Sequence, residues 1–113
     1  AEEFVFSQIP DQFLPQAVHE LLLKKSRSVA IAESITAGLV GASLSSGAGS
    51  SKFFKGGALL YSDQSKIQFG VRSESIATYS AVSSVVADEL ATLVREKFDS
   101  DMGISLTGYA GPE

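Results

Sequence analysis

The spacing of apolar and polar residues predicts a first helix followed by a short buried strand. From Phe13 onward, apolar side chains recur every three or four residues, which is the period of one helix face. Pro15 suits the first turn, and Lys24 and Lys25 suit the last. Residues 28–32 are small or β-branched, which is typical of a strand covered on both faces. The apolar helix face consists of Leu14, Ala17, Val18, Leu21 and Leu22.

The next part of the chain predicts a second helix, a loop and a second strand. Ser34 or Thr36 can cap a helix that is rich in small residues, and this helix ends in the serine- and glycine-rich loop 45–50. Residues 51–55 are expected to make one helical turn, and residues 58–61 predict the second strand. The apolar residues of the second helix are Leu39, Val40, Ala42 and Leu44.

Three further helices are predicted in the second half. Ser62 followed by Asp63 is typical of a helix start, which puts Lys66 about one turn into that helix. Residues 73–79 predict a short helix, and Ser83 caps a long one. The long helix has one apolar face, formed by Val86, Leu90, Leu93, Val94 and Phe98.

A third strand over residues 102–106 completes a repeated order of strand, loop and helix. This order predicts an α/β fold, specifically a three-layer α/β/α domain with a mixed or mostly parallel sheet and functional loops at the strand ends. We expect the domain to span residues 12–113, after a lead-in or interdomain linker over residues 1–11. Because the chain stops at Glu113, in a loop directly after a strand, we also expect C-terminal strands and a helix to be missing.

Composition narrows the class of protein. The 113 residues suffice for one domain, and no apolar run approaches the roughly 20 residues of a membrane span. A net charge of -4 disfavours a surface that must neutralise many phosphates, so nucleic-acid binding is not expected. The absence of cysteine and of a basic, apolar leader at the N-terminus makes the cytoplasm the expected location.

The residue inventory leaves few routes to a nucleophile. The chain has no cysteine, and its one histidine, His19, lies mid-helix without a serine motif and is expected to be a partly exposed structural residue. A serine hydroxyl then needs Lys, Tyr, Asp or Glu as its base, and a desolvated lysine can serve. Lys66, just past a strand end, is the best placed, although by composition alone it reads as a solvated helix lysine. Ser51 has a similar alternative as a turn or helix-cap serine.

Standard motifs do not decide the chemistry. The chain has neither a G-x-S-x-G elbow nor an S-x-x-K sequence, and residues 47–52 match neither a dinucleotide loop nor a P-loop. No metal site is expected, since Asp99 and Asp101 are too few for a calcium loop. Glu33 is the one acidic residue expected to face the loops, with helix capping or ion pairing as its structural alternative.

Five sequence blocks, in order, resemble the C-terminal domain of the CinA (competence/damage-inducible) family. Together they cover nearly everything from residue 28 to the end, so they are more specific than any block alone. The blocks are Ala32-Glu33-Ser34-Ile35-Thr36-Ala37-Gly38, Gly49-Ser50-Ser51, Tyr61-Ser62-Asp63-Gln64-Ser65-Lys66, Ala81-Val82-Ser83 and Thr107-Gly108-Tyr109-Ala110-Gly111-Pro112.

The resemblance implies a Ser/Lys amidohydrolase that converts nicotinamide mononucleotide to nicotinic acid mononucleotide and ammonia, without cofactor or metal. It makes Ser51 the nucleophile and Lys66 the general base, with Tyr61 and Ser34 orienting the lysine or relaying protons. Backbone amides near Ser50 and Ser51 would stabilise the oxyanion. A nucleotide is the expected small-molecule partner, and a homo-oligomer, dimeric or larger, is expected. The implied substrate-binding residues are Glu33, Thr36, Gly38, Ser50, Thr107, Gly108, Ala110 and Gly111.

The chain also departs from the family pattern, which commonly reads Glu-Ser-Cys-Thr-Gly-Gly, Ser-Asn-Glu-Ala-Lys and Gly-Ile-Ala-Gly-Pro. Ala37 would be strained if its position requires a positive φ. These substitutions leave a second hypothesis open, in which the domain is catalytically impaired and binds a nucleotide or a protein. A DNA-binding role, suggested by the family name alone, is disfavoured by the acidic charge. The departing residues are Ile35, Ala37, Asp63, Gln64, Ser65 and Tyr109.

Overall fold

Helices and strands alternate along residues 14–111, the part of the chain that the structure, a computed structural model, describes. The expected lead-in over residues 1–11 lies outside this part. In chain order the elements are α1 (Leu14–Lys25), β1 (Val29–Glu33), α2 (Leu39–Ser45), a 3₁₀ turn (Ser50–Lys52), β2 (Phe54–Leu59), α3 (Asp63–Phe69), α4 (Ser73–Tyr79), α5 (Ser84–Lys97) and β3 (Met102–Leu106).

The three strands form one parallel sheet in the order β2-β1-β3. All five residues of the central strand β1 are buried, which explains why its sequence is apolar without alternation. At the end of β1, Glu33 pairs with Leu59 of β2 and with Leu106 of β3. The three strands therefore end together, and we call this side of the sheet the carboxyl edge.

Helices cover both faces of the sheet. On one face, α5 packs Val86, Leu90 and Val94 against Ala30 and Ala32 of β1. On the other face, α1 and α2 pack around a second buried cluster, formed by Leu22, Val29, Ile31 and Phe53. The predicted three-layer α/β/α architecture with a parallel sheet is thus confirmed.

Strand β2 begins earlier than its sequence predicts. We expected a strand over residues 58–61, whereas β2 runs from Phe54 to Leu59. Gly56 and Gly57 lie inside the strand. Glycine fits at these two positions because neighbouring groups occupy the space that a side chain would need. A Cβ on Gly57 would overlap the carbonyl oxygen of Ile31, and one on Gly56 would lie 3.1 Å from the ring of Phe98.

The other elements follow their predictions closely. The first helix begins and ends as its apolar period indicates, the short and the long helix of the second half are confirmed, and β3 has the predicted bounds. Strand β1 is displaced by one residue from the predicted 28–32. None of the helices within residues 14–111 has both the length and the apolar character that a membrane crossing requires.

The expectation of a partly exposed His19 was wrong. Its residue surface is 8% exposed, and its ring meets the ring of Phe53 edge-on with 5.0 Å between centroids. Gly47 also lies directly against this ring, since a Cβ there would overlap the imidazole. His19 therefore packs α1 onto the loop that precedes the 3₁₀ turn.

Candidate functional site

Helix α3 directs a lysine side chain into the protein at the carboxyl edge. Its first turn is capped by Ser62, whose Oγ accepts a hydrogen bond from the backbone N–H of Ser65 at 3.0 Å. Lys66 follows one turn into the helix, as predicted, and is only 2% exposed. A buried lysine is rare because its charged form loses hydration, so its contacts need an explanation.

The Nζ atom of Lys66 has three oxygen partners. It lies 3.1 Å from the Oγ of Ser34, 2.9 Å from the carbonyl oxygen of Leu60 and 3.3 Å from that of Tyr61. Ser34 directly follows β1, while Leu60 and Tyr61 directly follow β2. The amine is therefore held where two neighbouring strands end, by one hydroxyl and two carbonyl groups.

Burial lowers the pKa of the Lys66 ammonium, and the nearby carboxylate of Asp63 partly opposes this by raising it. The net pKa is lowered, which favours the neutral amine. A neutral amine has two N–H donors and one lone pair. The carbonyl oxygens of Leu60 and Tyr61 can only accept, so they take the two donors, and Ser34 alone has a proton to offer the lone pair.

Glu33 is buried beside this site, but backbone groups occupy its carboxylate. Its Oε1 accepts from the N–H groups of Gly38 at 3.1 Å and Val40 at 3.0 Å, and its Oε2 accepts from Gly41 at 2.7 Å. The carboxylate thereby caps the start of α2, where the helix dipole favours a negative charge. The expected side-chain cap from Ser34 or Thr36 was wrong.

The pKa of Glu33 reflects the same contacts. Burial would raise the pKa of this carboxyl group, but the Thr36 hydroxyl and the three backbone N–H groups together lower it. The Thr36 hydroxyl lies close to the carboxylate without reaching the geometry of a hydrogen bond. Glu33 and Thr36, both expected to bind substrate, therefore contact each other and the helix start.

The turn between β1 and α2 requires two left-handed residues. Gly38 has φ 102, and Ala37 before it has φ 53. The family's glycine at position 37 would adopt this conformation without strain, whereas alanine pays a steric cost. The sequence analysis expected strain at Ala37 if this position requires a positive φ, and the structure has a positive φ there.

Ser50 and Ser51 lie at the amino end of β2, whereas Lys66 lies at the carboxyl edge. Their 3₁₀ turn precedes β2, and Phe53 accepts a hydrogen bond at its carbonyl oxygen from Val29 at the start of β1. The six residues of β2 separate the turn from Lys66, which at about 3.3 Å per residue corresponds to roughly 20 Å. Within one chain, the described structure brings Lys66 to Ser34 and not to Ser51.

Tyr61 contacts Lys66 through its backbone rather than its phenol. The carbonyl oxygen of Tyr61 accepts from Nζ, while the residue is 63% exposed and its hydroxyl has no hydrogen bond within the described part of the chain. An orienting role for Tyr61 is thus consistent with these contacts, but a proton relay through the phenol has no contact to support it.

The end of β3 adds the third side of the site. The Thr107 hydroxyl donates to the carbonyl oxygen of Ala81 at 3.0 Å, which ties the strand end to the loop before α5. Gly108 is the next residue, and it packs against Ile35. A Cβ on Gly108 would lie 3.3 Å from the Ile35 Cδ1. Ala110 and Gly111 are exposed. Thr107 and Gly108 are therefore positioned beside the turn that carries Ser34.

Sequence reasoning did not identify the carbonyl groups of Leu60 and Tyr61 as partners of Lys66. Backbone acceptors carry no sequence signal, and only the position of Lys66 one turn after the Ser62 cap pointed toward them. Within residues 14–111, no three His, Asp or Glu side chains converge on a point that could hold a metal ion.

Comparisons with known proteins agree with the fold. Residues 11–113 match the family described as the CinA C-terminal domain. A CinA-like protein of Dictyoglomus thermophilum is 46% identical over 101 residues, which are 88% of this chain and 25% of that protein. A CinA-like protein of Rippkaea orientalis is 42% identical over 103 residues, covering 90% of this chain and 25% of its own length.

Solved structures give the same result. A competence-damaged protein (CinA) superfamily protein from Escherichia coli has a TM-score of 0.86 and 34% identity, over 96% of this chain and 66% of that chain. Competence damage-inducible protein A of Klebsiella pneumoniae has a TM-score of 0.82 and 33% identity, over 85% of this chain and 60% of that chain. The chain thus spans about a quarter of the length of these curated relatives. It spans 60% of the solved Klebsiella pneumoniae chain and 66% of the Escherichia coli chain.

Proposed function

This chain belongs to the CinA C-terminal domain family, and we propose that it supplies the Ser/Lys centre of an amidohydrolase. The proposed reaction cleaves the carboxamide of nicotinamide mononucleotide to give nicotinic acid mononucleotide and ammonia. In this proposal Ser34 is the nucleophile and Lys66 is its general base. The substrate rests on the family resemblance, while the two roles rest on geometry.

The single observation that carries the proposal is the contact between Lys66 Nζ and Ser34 Oγ at 3.1 Å. It lies within the distance that proton transfer to a general base requires. Burial lowers the pKa of Lys66, which increases the fraction of neutral amine that is available as a base. The two carbonyl partners fix the amine so that its lone pair is directed at the serine.

The reaction can be written with these groups alone. Lys66 takes the Ser34 proton while Oγ bonds to the amide carbon, and the carbonyl electron pair moves to oxygen. The tetrahedral intermediate collapses, the C–N bond breaks, and the Lys66 ammonium gives its proton to the departing nitrogen, releasing ammonia. Water then attacks the Ser34 ester, losing a proton to Lys66, and the proton returns to Ser34 as the acid leaves.

Ser51 replaces Ser34 as the nucleophile only if another copy of the chain supplies it. Within one chain, Ser51 lies before the start of β2 and Lys66 lies beyond its end. A homo-oligomer could bring the exposed 3₁₀ turn of one copy to the carboxyl edge of the next. Association of copies is therefore part of the proposal only in this alternative form, in which Ser51 acts in trans.

The phosphate of the proposed substrate needs a partner away from Lys66. The three segments at the carboxyl edge, residues 33–38, 60–66 and 107–111, contain no other lysine or arginine. Backbone amides can hold a phosphate without a cation. We therefore expect the amide end of the substrate at Ser34 and the phosphate end outside these segments or on their backbone.

The test is product formation by the intact protein that carries this chain. Incubation with nicotinamide mononucleotide should release ammonia and nicotinic acid mononucleotide in equal amounts. The Lys66→Met variant, similar in length but without a base, should be slower by about 10²–10⁴-fold. Equal rates for the two proteins, or no product from either, would contradict the proposed activity.

A second candidate is a domain that binds the nucleotide without cleaving it. Two observations favour it: Ala37 is held at φ 53 in the turn after Ser34, and the Asp63 carboxylate raises the pKa of the base. Calorimetric titration of the intact protein with nicotinamide mononucleotide decides between the two. Saturable binding with no ammonia release would support this candidate.

A further inference from the structure

Several backbone N–H groups around Ser34 have no acceptor among the described residues, and those of Ile35 and Gly108 are two of them. Ile35 and Gly108 lie outside helices and strands, and neither donates a hydrogen bond within the described residues. Both residues are only partly exposed. Partly buried amides without an acceptor are uncommon in folded proteins, so these two need an explanation.

The Ile35 amide is adjacent to the proposed nucleophile. Ile35 directly follows Ser34 in the chain. Only the carbonyl carbon and the Cα of Ser34 lie between this amide nitrogen and the Cβ that carries Oγ. The turn here is closed by a bond from the Ala37 N–H to the Ser34 carbonyl oxygen at 3.1 Å. This bond uses the Ala37 amide and leaves the N–H groups of Ile35 and Thr36 available, of which the Ile35 N–H directly follows the nucleophile.

Parallel pairing brings the Gly108 amide to the same place. Glu33 pairs with Leu106 at the end of the sheet, so Ser34 and Ile35 continue beside Thr107 and Gly108. Ile35 packs against Gly108, and the Thr107 hydroxyl anchors the loop through Ala81. Glycine at 108 also leaves the backbone uncovered, so a substrate oxygen can approach it closely.

Several other polar groups of the site are already engaged, although Thr36 keeps a hydroxyl at the Glu33 carboxylate and an N–H without a hydrogen bond. The amides of Gly38, Val40 and Gly41 bind the Glu33 carboxylate. Lys66 has its three positions filled by Ser34 and the two carbonyl oxygens. The amides of the Ser50–Lys52 turn, which the family resemblance suggested as oxyanion donors, lie at the far edge of the sheet.

We propose that the N–H groups of Ile35 and Gly108 form the oxyanion hole of this site. When Ser34 Oγ bonds to the amide carbon, the carbonyl π electrons move to oxygen, and both N–H groups donate to the resulting O⁻. This inference rests on the proposed hydrolysis by Ser34. The arrangement joins the amide after the nucleophile with an amide from a neighbouring strand end, a combination that other hydrolase folds also use.

The test compares Gly108→Pro with Gly108→Ala in the intact protein. Proline removes the N–H, whereas alanine adds a methyl group near the flexible end of Ile35 and keeps the N–H. Gly108→Ala therefore serves as the reference that carries the cost of an added side chain at this position. Relative to that reference, we expect Gly108→Pro to lower kcat by a further 10²–10³-fold, roughly, with little change in KM. A folded Gly108→Pro protein with the kcat of Gly108→Ala would overturn the proposal for Gly108.

A second variant avoids the effect of proline on folding. Incorporating the α-hydroxy acid analogue of isoleucine at position 35 replaces the N–H by an ester oxygen and keeps the side chain. We expect a similar loss of kcat, with an unchanged circular dichroism spectrum. An ester at position 35 with full kcat would overturn the role of Ile35. Wild-type protein without turnover would instead refute the hydrolysis itself, and the oxyanion hole with it.

Discussion

Lys66 Nζ lies 3.1 Å from Ser34 Oγ, although 32 positions separate the two residues in the chain. The contact exists because β1 and β2 are parallel neighbours that end at the same edge, and α3 turns back over that edge. Neither side chain reaches bulk water to any large extent. The pair therefore has the isolation that a lysine base requires, since burial favours its neutral form.

The buried lysine should make stability depend on alkaline pH. Its pKa in the folded state is lowered from the ordinary value of 10.5, so the unfolded chain binds more protons between the two values. The free energy of unfolding of the wild type should therefore rise with pH through that window, relative to Lys66→Met. Urea unfolding at several pH values measures this, with the exposed, uncharged Gln68→Met as the control. A constant difference between wild type and Lys66→Met would contradict a lowered pKa.

Removing the charge at position 63 should shift the pH dependence of activity. The Asp63 carboxylate raises the pKa of Lys66 against the effect of burial, so Asp63→Asn should lower that pKa further. The acid limb of kcat/KM, which reports the base in the free enzyme, should move to lower pH. Glu74→Gln, a matched change in the first turn of α4, should leave the limb in place. A shift to higher pH in Asp63→Asn would refute this account of the lysine.

The strained turn after Ser34 predicts a stabilising substitution. Ala37 has φ 53, and glycine adopts this conformation without the steric cost. Ala37→Gly should therefore raise the free energy of unfolding by about 1 kcal/mol, the strain relieved less the added freedom of the unfolded chain. Ala42→Gly, at an exposed position inside α2, should lower it by about 1 kcal/mol. Equal effects of the two substitutions would argue against strain at Ala37.

The contact between His19 and Gly47 predicts a coupled pair. A Cβ on Gly47 would overlap the buried imidazole, so Gly47→Ala should lower the free energy of unfolding by about 1–3 kcal/mol. In a His19→Ala background that cost should largely disappear, because the space is empty. A double-mutant cycle by thermal or urea unfolding measures the coupling. Additive effects would show that the loop moves away from the imidazole.

The helices and their order were predictable because their signals are local. The apolar period gave α1 and α5, and the caps Ser62 and Ser83 gave the starts of α3 and α5. Lys66 could be placed one turn into α3 from the cap alone. These features depend on residues within a few positions of each other, which a single sequence displays directly.

The partner of Lys66 was less predictable because it depends on strand pairing. The sequence pattern places a break at Gly56 and Gly57, so the predicted β2 began only at residue 58. This concealed the six residues of extended chain that separate Ser51 from Lys66. The glycines fit inside the strand only because Ile31 and Phe98, distant in sequence, approach them closely. The cap of α2 was hard to predict for a similar reason, because the capping carboxylate of Glu33 belongs to the preceding strand.

The most direct test of the central claim compares Ser34→Ala with Ser51→Ala in the intact protein, by ammonia release from nicotinamide mononucleotide. We expect Ser34→Ala to lose about 10⁴-fold or more in kcat/KM, as removal of a serine nucleophile does in other hydrolases. Ser51→Ala should stay near the wild-type value, because its exposed side chain lies at the far edge of the sheet. A collapse of activity in Ser51→Ala, with Ser34→Ala still active, would contradict it.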